Sequence, residues 1–588
     1  MSNLTQSPRN VTGMAVFLLA LVTLILYGHT LHVPWYMDDI SAIVENPLVR
    51  DLSAAWRGVW QSRGLVTLTF ALNYRYGALD PASYHLLNIM IHFGCGSLAF
   101  LLLRRVFKDQ PGWALCGALI FIAHPLQTQA ITYTVQRMAS LSALFFLLAL
   151  YLFVRSHELL KTGVPFRSAV HLRCYAGALL SGALSLLCKE NAAVLPLALL
   201  LFVRFFVTPQ PQWRALLYAT APFALLPLMV ALYQFLPLFT GATSLNEVAT
   251  LTQLASLQGN SPLTYLVTEF SVLWIYLRLL VLPYGQALNH DYPIVRELLT
   301  WQNGFALLGL LALVYVAWQQ RQRRPALAFG ICWFFLTLAV ESSIIPLDPL
   351  FEHRLYLPIF GFSVMVVDSL RRLPWPQVAR IGAGLILLVL AILTWQRNEL
   401  WNHPIAFYQD NLRIAPRSER ANNGLGTSYY AAGRLREAEI AFRKTLEINP
   451  KYYYNYRNLP LLYNKLGRFD ETIALLKQGI TYFPEDVSMY NNLAILYDHL
   501  ATTSQSADQN AQAVRYFEAA MKIDARNSQL TGNLARHYKR LGQLAEAEKF
   551  YRQALAINPR DEQCRADLAD IYLRSGRYAE AERLRHPP

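Results

Sequence analysis

Two adjacent aspartates, Asp38 and Asp39, follow the apolar stretch Met14 to Leu31, inside the segment WYMDDISAIVENP (residues 35–47). Carboxylates at the edge of a bilayer are more often functional than incidental. Further acids and bases lie hundreds of residues away, at the ends of other apolar runs. They are AHPLQTQAITYTVQRM with His124, Gln129 and Arg137, CKEN with Lys189 and Glu190, NHDYP with His290 and Asp291, and DPLFEHRLYLP with Glu352 and Arg354. A carboxylate with several cations suits transfer from a lipid-linked phosphate. The cations hold the phosphate leaving group, and the carboxylate takes the proton of an incoming hydroxyl. A free aspartate, with a pKa near about 3.9, is a weak base at neutral pH, and a neighbouring carboxylate with partial burial raises it. Neighbours in sequence do not both aim at one atom. Asp38 or Asp39 is the base, with Asp39 alternatively a metal ligand or the cap of a helix starting at Ile40. Arg137 and Arg354 read as phosphate clamps, Arg354 alternatively as an ion pair with Glu352. Lys189 and Glu190 join them or snorkel at a hairpin tip. His124, His290 and Asp291 complete a candidate donor pocket. No metal motif is present, and a single divalent ion bridging Asp38 or Asp39 to phosphate stays open.

Long apolar elements must position these residues. The 588 residues are 54% hydrophobic and 15% charged, against about 25% charged in soluble domains. A net charge of +14 raises the question of nucleic acid. The basic clusters, however, sit in short loops between apolar runs, which fits the positive-inside rule and excludes a nucleic-acid binder. Of six cysteines, five lie in or beside apolar segments, with neither disulfide nor zinc spacing. Residues 14–31 lack a following small-x-small cleavage pattern and many spans come after them, so a retained first span is expected.

Spans of roughly 17–25 residues are expected near 14–31, 84–103, 113–123 with 139–154, 174–188, 192–207, 215–237, 303–318, 326–345, 356–370 and 380–396. Placing the loops 104–108, 155–173, 204–214, 321–324 and 371–380 in the cytoplasm sets the orientation. Residues 265–282 are apolar enough to span, but a crossing there would export the RQRR loop, so they read as interfacial or re-entrant. The result is about eleven crossings, with the N-terminus cytoplasmic and all candidate residues on the opposite face. Ionisable residues at span ends rather than at midplane favour a site facing water over a transporter.

From residue 398 the chain is polar and repetitive. Leu425, Gly426, Tyr429, Ala438, Phe442 and Pro450 fall on the positions of an about 34-residue tetratricopeptide repeat. Further units begin near Leu459, Leu493, Leu534 and Leu568, with an insertion at 501–510, and FYQDNLRIAP (407–416) reads as an earlier half-repeat. The expected architecture is all-α: a polytopic membrane domain, 1–397, then a repeat superhelix, 398–588. Asn458, Asn492 and Asn533 each precede the repeat leucine. One position per repeat forms a row on the inner surface, and amides pair with any peptide backbone. Those three are the expected contacts for an acceptor polypeptide, in a manner that resembles the asparagine ladder of the nucleocytoplasmic N-acetylglucosamine transferase. The bland alternative is that they bond neighbouring helices.

The stretches YMDDISAIVENP, LTFALNYRYGALDPASYHLLNIMIH, FIAHPLQTQAITYTVQRMASLSALFFLLALYL, LCKENAAVLPLALLLF, YLRLLVLPYGQALNHDYP and EHRLYLPIFGF, followed by the repeats, resemble the transmembrane and tetratricopeptide repeat O-mannosyltransferases and their bacterial relatives. That family is of the GT-C class of integral-membrane glycosyltransferases. The resemblance implies Asp38 as base, a non-crossing helix, and repeats in the lumen or periplasm. The chain departs from the family's pattern at Gln129, where a carboxylate is usual, at Arg63-Gly64 in place of Arg-Pro, and in the length of QALNHDYP. The implied function is an inverting transfer from a polyprenyl-phosphate sugar to Ser or Thr hydroxyls of secreted or envelope proteins, in a bacterial inner membrane. A lipid or polysaccharide acceptor, and a non-catalytic scaffold for envelope assembly, are the alternatives.

Overall fold

Prolines open many of the long apolar helices in the computed structural model, which describes residues 8–108, 110–208, 210–240, 261–298, 300–504 and 506–585. Proline suits the first helical turn, where its missing N–H is no loss. Asp80 caps Pro81–Val106 by accepting from Ala82 N, and Ser168 and Thr300 cap Ala169–Cys188 and Trp301–Gln320 in the same way. No strand occurs among the described residues. The chain divides into two compact units, Met1–Pro416 and Arg417–Pro588. Residue 397, the boundary expected from composition, lies inside the helix Pro376–Trp401, and the half-repeat helix Pro404–Ile414 belongs to the first unit.

Among the described residues, eight helices of the first unit are long and apolar enough to cross a membrane: Val11–Thr30, Pro81–Val106, Thr134–Lys161, Ala169–Cys188, Glu190–Val207, Pro262–Val281, Trp301–Gln320 and Pro376–Trp401. The pair Pro111–Ala123 and Pro125–Ile131, bent by 50°, makes a ninth. Length and composition therefore allow Pro262–Val281, expected above at the interface, to cross. The other spans of the sequence reading are Trp213–Thr240 and two 14-residue helices, Pro325–Leu338 and Pro358–Arg371. The last two pack through small residues. A Cβ at Gly330 would meet the Gly361 carbonyl oxygen at 2.7 Å, and such small-residue contacts let helices approach closely in lipid. Trp333, Phe329 and Phe360 fill the core beside them.

Among its described residues the second unit holds five helix pairs, from Glu419–Ala431 with Leu435–Ile448 to Glu562–Arg574 with Tyr578–Arg585. Gly433, Gly467, Gly542 and Gly576 make the intra-pair turns at φ of 72–74°, a region where only glycine is at ease. The pair that carries the insertion, Val487–Ser504 with Ala507–Ile523, lacks such a glycine. Ala438, Ala513, Ala547 and Ala581 are buried where paired helices meet. Ion pairs recur in register: Arg468 with Glu439 and Arg577 with Glu548, each at 2.8 Å.

Candidate active site

The two aspartates point opposite ways. Asp39 is 1% exposed, and its carboxylate accepts from Val135 N at 2.7 Å and Tyr36 N at 3.1 Å. It therefore ties the first loop to the turn that precedes Arg137. Burial pushes its carboxyl up to about 8, against the pull of those backbone donors. Asp38 is exposed. Its N–H donates to the Tyr133 hydroxyl at 2.9 Å, and the same hydroxyl interacts with the Asp38 carboxylate. Tyr133 is itself fixed, buried and stacked on Trp401. Met37, just before the pair, has φ 39°. A left-handed non-glycine costs about 1–3 kcal/mol and is retained where surrounding structure imposes it. Here the turn sends one carboxylate inward and its neighbour outward. The helix cap expected of an aspartate at this place does not form: the Asp39 side chain makes no cap bond to the segment Ile40–Val44.

Lys189 and Arg354 meet on an acid that sequence reading did not single out. Glu341 Oε1 lies 2.6 Å from Lys189 Nζ and 3.8 Å from Arg354 Nε. Arg354 also donates to the carbonyls of Pro349, at 2.8 Å, and Asp348, at 2.7 Å, which fixes the guanidinium plane. Arg63, next to the expected departure at Gly64, adds positive potential at Lys189. A Cβ at Gly64 would come within 2.3 Å of the Gly58 carbonyl oxygen, so this turn requires glycine. Burial lowers the Lys189 ammonium. It also opposes ionisation of Glu341, but Lys189 and Arg354 more than offset this and hold that carboxyl below its ordinary value. Glu190 faces the other way, accepting from Ser62 Oγ at 2.5 Å. One signal for Glu341 was available: an acid that ends an apolar run, LTLAVESS.

Several expected donor ligands have structural duties instead. Arg137 is fully buried and bonds Asn88 Oδ1 at 2.6 Å, Asn73 Oδ1 at 2.7 Å and the Tyr84 carbonyl at 2.9 Å. Its guanidinium is enclosed between helices rather than open as a phosphate clamp. His124 donates from Nε2 to the Leu280 carbonyl at 3.0 Å and accepts on Nδ1 from Leu126 N, capping the turn at the bend. Glu352 is 1% exposed and pairs with His290 at 2.9 Å while accepting from Ala287 N at 2.7 Å, so it anchors the loop 284–292 and not Arg354. Asp291, at φ 47°, belongs to the same loop, its N–H bonded to Asn289. Gln129 bridges this loop to the cation cluster: it donates to the Leu288 carbonyl at 2.9 Å and accepts from His353 N at 2.6 Å. A carboxylate at 129 would lack the donor for Leu288. The segment 124–137 thus touches both centres, through Tyr133 at Asp38 and Gln129 beside Arg354. Among the described residues no group of three or more His, Cys, Asp or Glu is arranged to hold a metal ion.

In the repeat unit, the asparagine row is divided. Asn458 donates to Asn423 Oδ1 at 3.1 Å and buried Asn533 to Asn491 Oδ1 at 2.9 Å, locking successive repeats together. Asn492 is exposed. It lines a cavity of about 710 Å³ with Tyr453, Asn458, Asn491 and Gln529.

Tetratricopeptide repeat family models match residues 419–452, 504–552 and 541–584. Human protein O-mannosyl-transferase TMTC3 is 24% identical over 75% of this chain and 52% of its own length. Human protein O-mannosyl-transferase TMTC1 is 25% identical over 78% and 58%, and the Caenorhabditis elegans protein O-mannosyl-transferase F38B6.6 is 22% identical over 74% and 63%. The chain is similar to these transferases. It spans between about half and two thirds of the length of those it matches. A solved structure of the MamA protein covers 28% of this chain and 87% of that one, at 17% identity and a TM-score of 0.25.

Proposed function

We propose that the protein is an integral-membrane inverting glycosyltransferase that moves a sugar from a polyprenyl-phosphate donor to Ser or Thr hydroxyls of extracytoplasmic proteins. The observation that carries this reading is the split pair: an exposed Asp38 carboxylate held by Tyr133 beside a buried Asp39. Asp38 takes the hydroxyl proton as the acceptor oxygen attacks the anomeric carbon from the face opposite the phosphate. The bond from that carbon to the phosphate oxygen breaks, and its electron pair stays on the phosphate. Lys189 and Arg354 bind the phosphate as it gains charge, in surroundings dry enough to strengthen each contact. Mannose is the first sugar to test, because the relatives are named for its transfer. The repeat unit holds the acceptor polypeptide, with Asn492 and its cavity in contact with the peptide backbone. The positive-inside pattern supports repeats on the side away from the cytoplasm, the periplasm for a bacterial inner membrane.

The test is transfer by purified full-length protein from a short-chain polyprenyl-phosphate mannose to an unstructured Ser/Thr-rich protein. Wild type is expected to transfer with inversion, and Asp38→Asn to bind donor without transfer. Transfer only to a lipid or saccharide acceptor would replace the acceptor class, and equal turnover by Asp38→Asn would overturn the mechanism. An active alkaline phosphatase fused at the C-terminus is expected. An inactive one, with an active cytoplasmic reporter at the same place, would reverse the topology.

A further inference from the structure

Lys189 and Arg354 already share an anion. Glu341, 6% exposed, contacts Lys189 Nζ at 2.6 Å and approaches Arg354 Nε at 3.8 Å. Glu269, fully buried, places a second carboxyl near Arg354. The other two guanidinium nitrogens of Arg354 each donate to a backbone carbonyl, which fixes the plane with Nε toward Glu341. A phosphate that reaches this pair must take the place of Glu341 on Lys189, or share the ammonium with it. Either way two anions face the same cations in a site with little water, where charge interactions are strong.

The reaction proposed above changes the charge on one of those anions. The donor is a phosphodiester with one negative charge. When its bond to the anomeric carbon breaks, the electron pair remains on oxygen and the hydroxyl proton goes to Asp38. The lipid phosphate left behind is a monoester with close to two negative charges at neutral pH. The same cations therefore bind product more tightly than donor, and a site with cations alone would retain it. We propose that Glu341 is a positioning residue that orients Lys189 and Arg354 and then competes with the lipid phosphate for them, so that product leaves. This rests on the reading that the donor is a polyprenyl-phosphate sugar.

The experiment uses the full chain in detergent micelles with a short-chain polyprenyl phosphate as probe and the matching polyprenyl-phosphate mannose as substrate. Glu341→Gln removes the charge and keeps the shape. It is expected to tighten polyprenyl phosphate binding by about tenfold or more, because a close like-charge contact is removed. Steady-state kcat is expected to fall more than the single-turnover rate, giving a burst of product equal to the enzyme present. Added polyprenyl phosphate is expected to raise Tm more in Glu341→Gln than in wild type. A purely structural role for Glu341 predicts weaker binding and no burst, and that result overturns the proposal. Should Glu341→Gln fail to fold, Glu341→Asp keeps the charge but withdraws it from Lys189. Tighter product binding by a smaller factor then supports the proposal, and unchanged or weaker binding overturns it. Wild type that binds polyprenyl phosphate but transfers nothing overturns the catalytic reading alone. Wild type that binds neither probe overturns the donor reading and this inference with it.

Discussion

Charges in the two units follow different rules. In the repeat unit exposed pairs recur: Arg434–Glu437, Arg468–Glu471 and Arg577–Glu580 each join residues three apart at the same place in their repeats. In the membrane unit, beside exposed local pairs such as Arg155–Glu158, the buried pairs are singular and long-range: Lys189 with Glu341, and His290 with Glu352. An exposed pair is worth about 0–1 kcal/mol. Removing one partner of a buried pair leaves a charge without water or counter-ion and costs about 3–5 kcal/mol. Repetition marks an architectural part, where loss of one copy is tolerated. A buried ion pair that occurs once needs a reason of its own, and at Lys189 the reason offered here is phosphate.

The largest test of that contrast is on the aspartates. Asp38→Asn should cut transfer by roughly 10²–10⁴ while the purified protein keeps its Tm. Asp39→Asn should instead lower Tm, because an amide turns N–H donors toward Val135 N or Tyr36 N. A folded, fully stable and inactive Asp39→Asn would reverse the two roles. Next in size, Lys189→Met should cost about 3–5 kcal/mol of stability by leaving Glu341 buried without its nearest cation. Arg434→Met, on an exposed pair, should leave Tm nearly unchanged. Thermal unfolding of both variants in one detergent compares them, and similar losses would erase the distinction between the units.

Within the repeat unit, Asn533→Ala should lower stability by about 1 kcal/mol, since its bond to Asn491 closes two repeats and its partner is left without a donor. Asn492→Ala should leave stability unchanged and weaken transfer to a full-length protein more than to a short peptide. Equal effects on both acceptors would remove the repeats from acceptor binding. A further expected effect is on pH dependence. The Asp39 carboxyl sits at about 8 in the folded protein against an ordinary 3.8. A raised acid contributes stability that is complete below the ordinary value and is lost as pH rises through the folded one. Tm should therefore decline from about pH 5 to about pH 8 by this group, and Asp39→Asn should flatten that slope. An unchanged slope in the variant would assign it to another residue.

Much of this was legible without coordinates. Apolar runs of sufficient length, prolines at helix starts and glycines at a fixed spacing specify the spans and repeats, because helix length, capping and turn geometry are local properties. The choice between Asp38 and Asp39 was not legible. Adjacent identical residues have the same composition, and only the positive φ at Met37 and the donors from Tyr36 and Val135 separate them. Arg137 read as a phosphate clamp because an arginine beside an apolar run looks the same whether it faces water or Asn73 and Asn88. Glu341 was passed over because its partner lies 152 residues away, and no periodic pattern connects a pair that occurs once.

The sequence by itself determined an all-α chain with a membrane part and a repeat part, and where acids and bases accumulate at span ends. Hydrophobic length and helical period are sums over neighbouring residues, so they survive without the fold. Tertiary structure alone decided which carboxylate faces outward, which cations share an anion, and which asparagines remain open. Those outcomes depend on desolvation and on hydrogen-bond partners brought from distant segments. A buried polar group must find its partner wherever the packing puts one. The aspartate that found Val135 became part of the scaffold, and the one beside it stayed exposed.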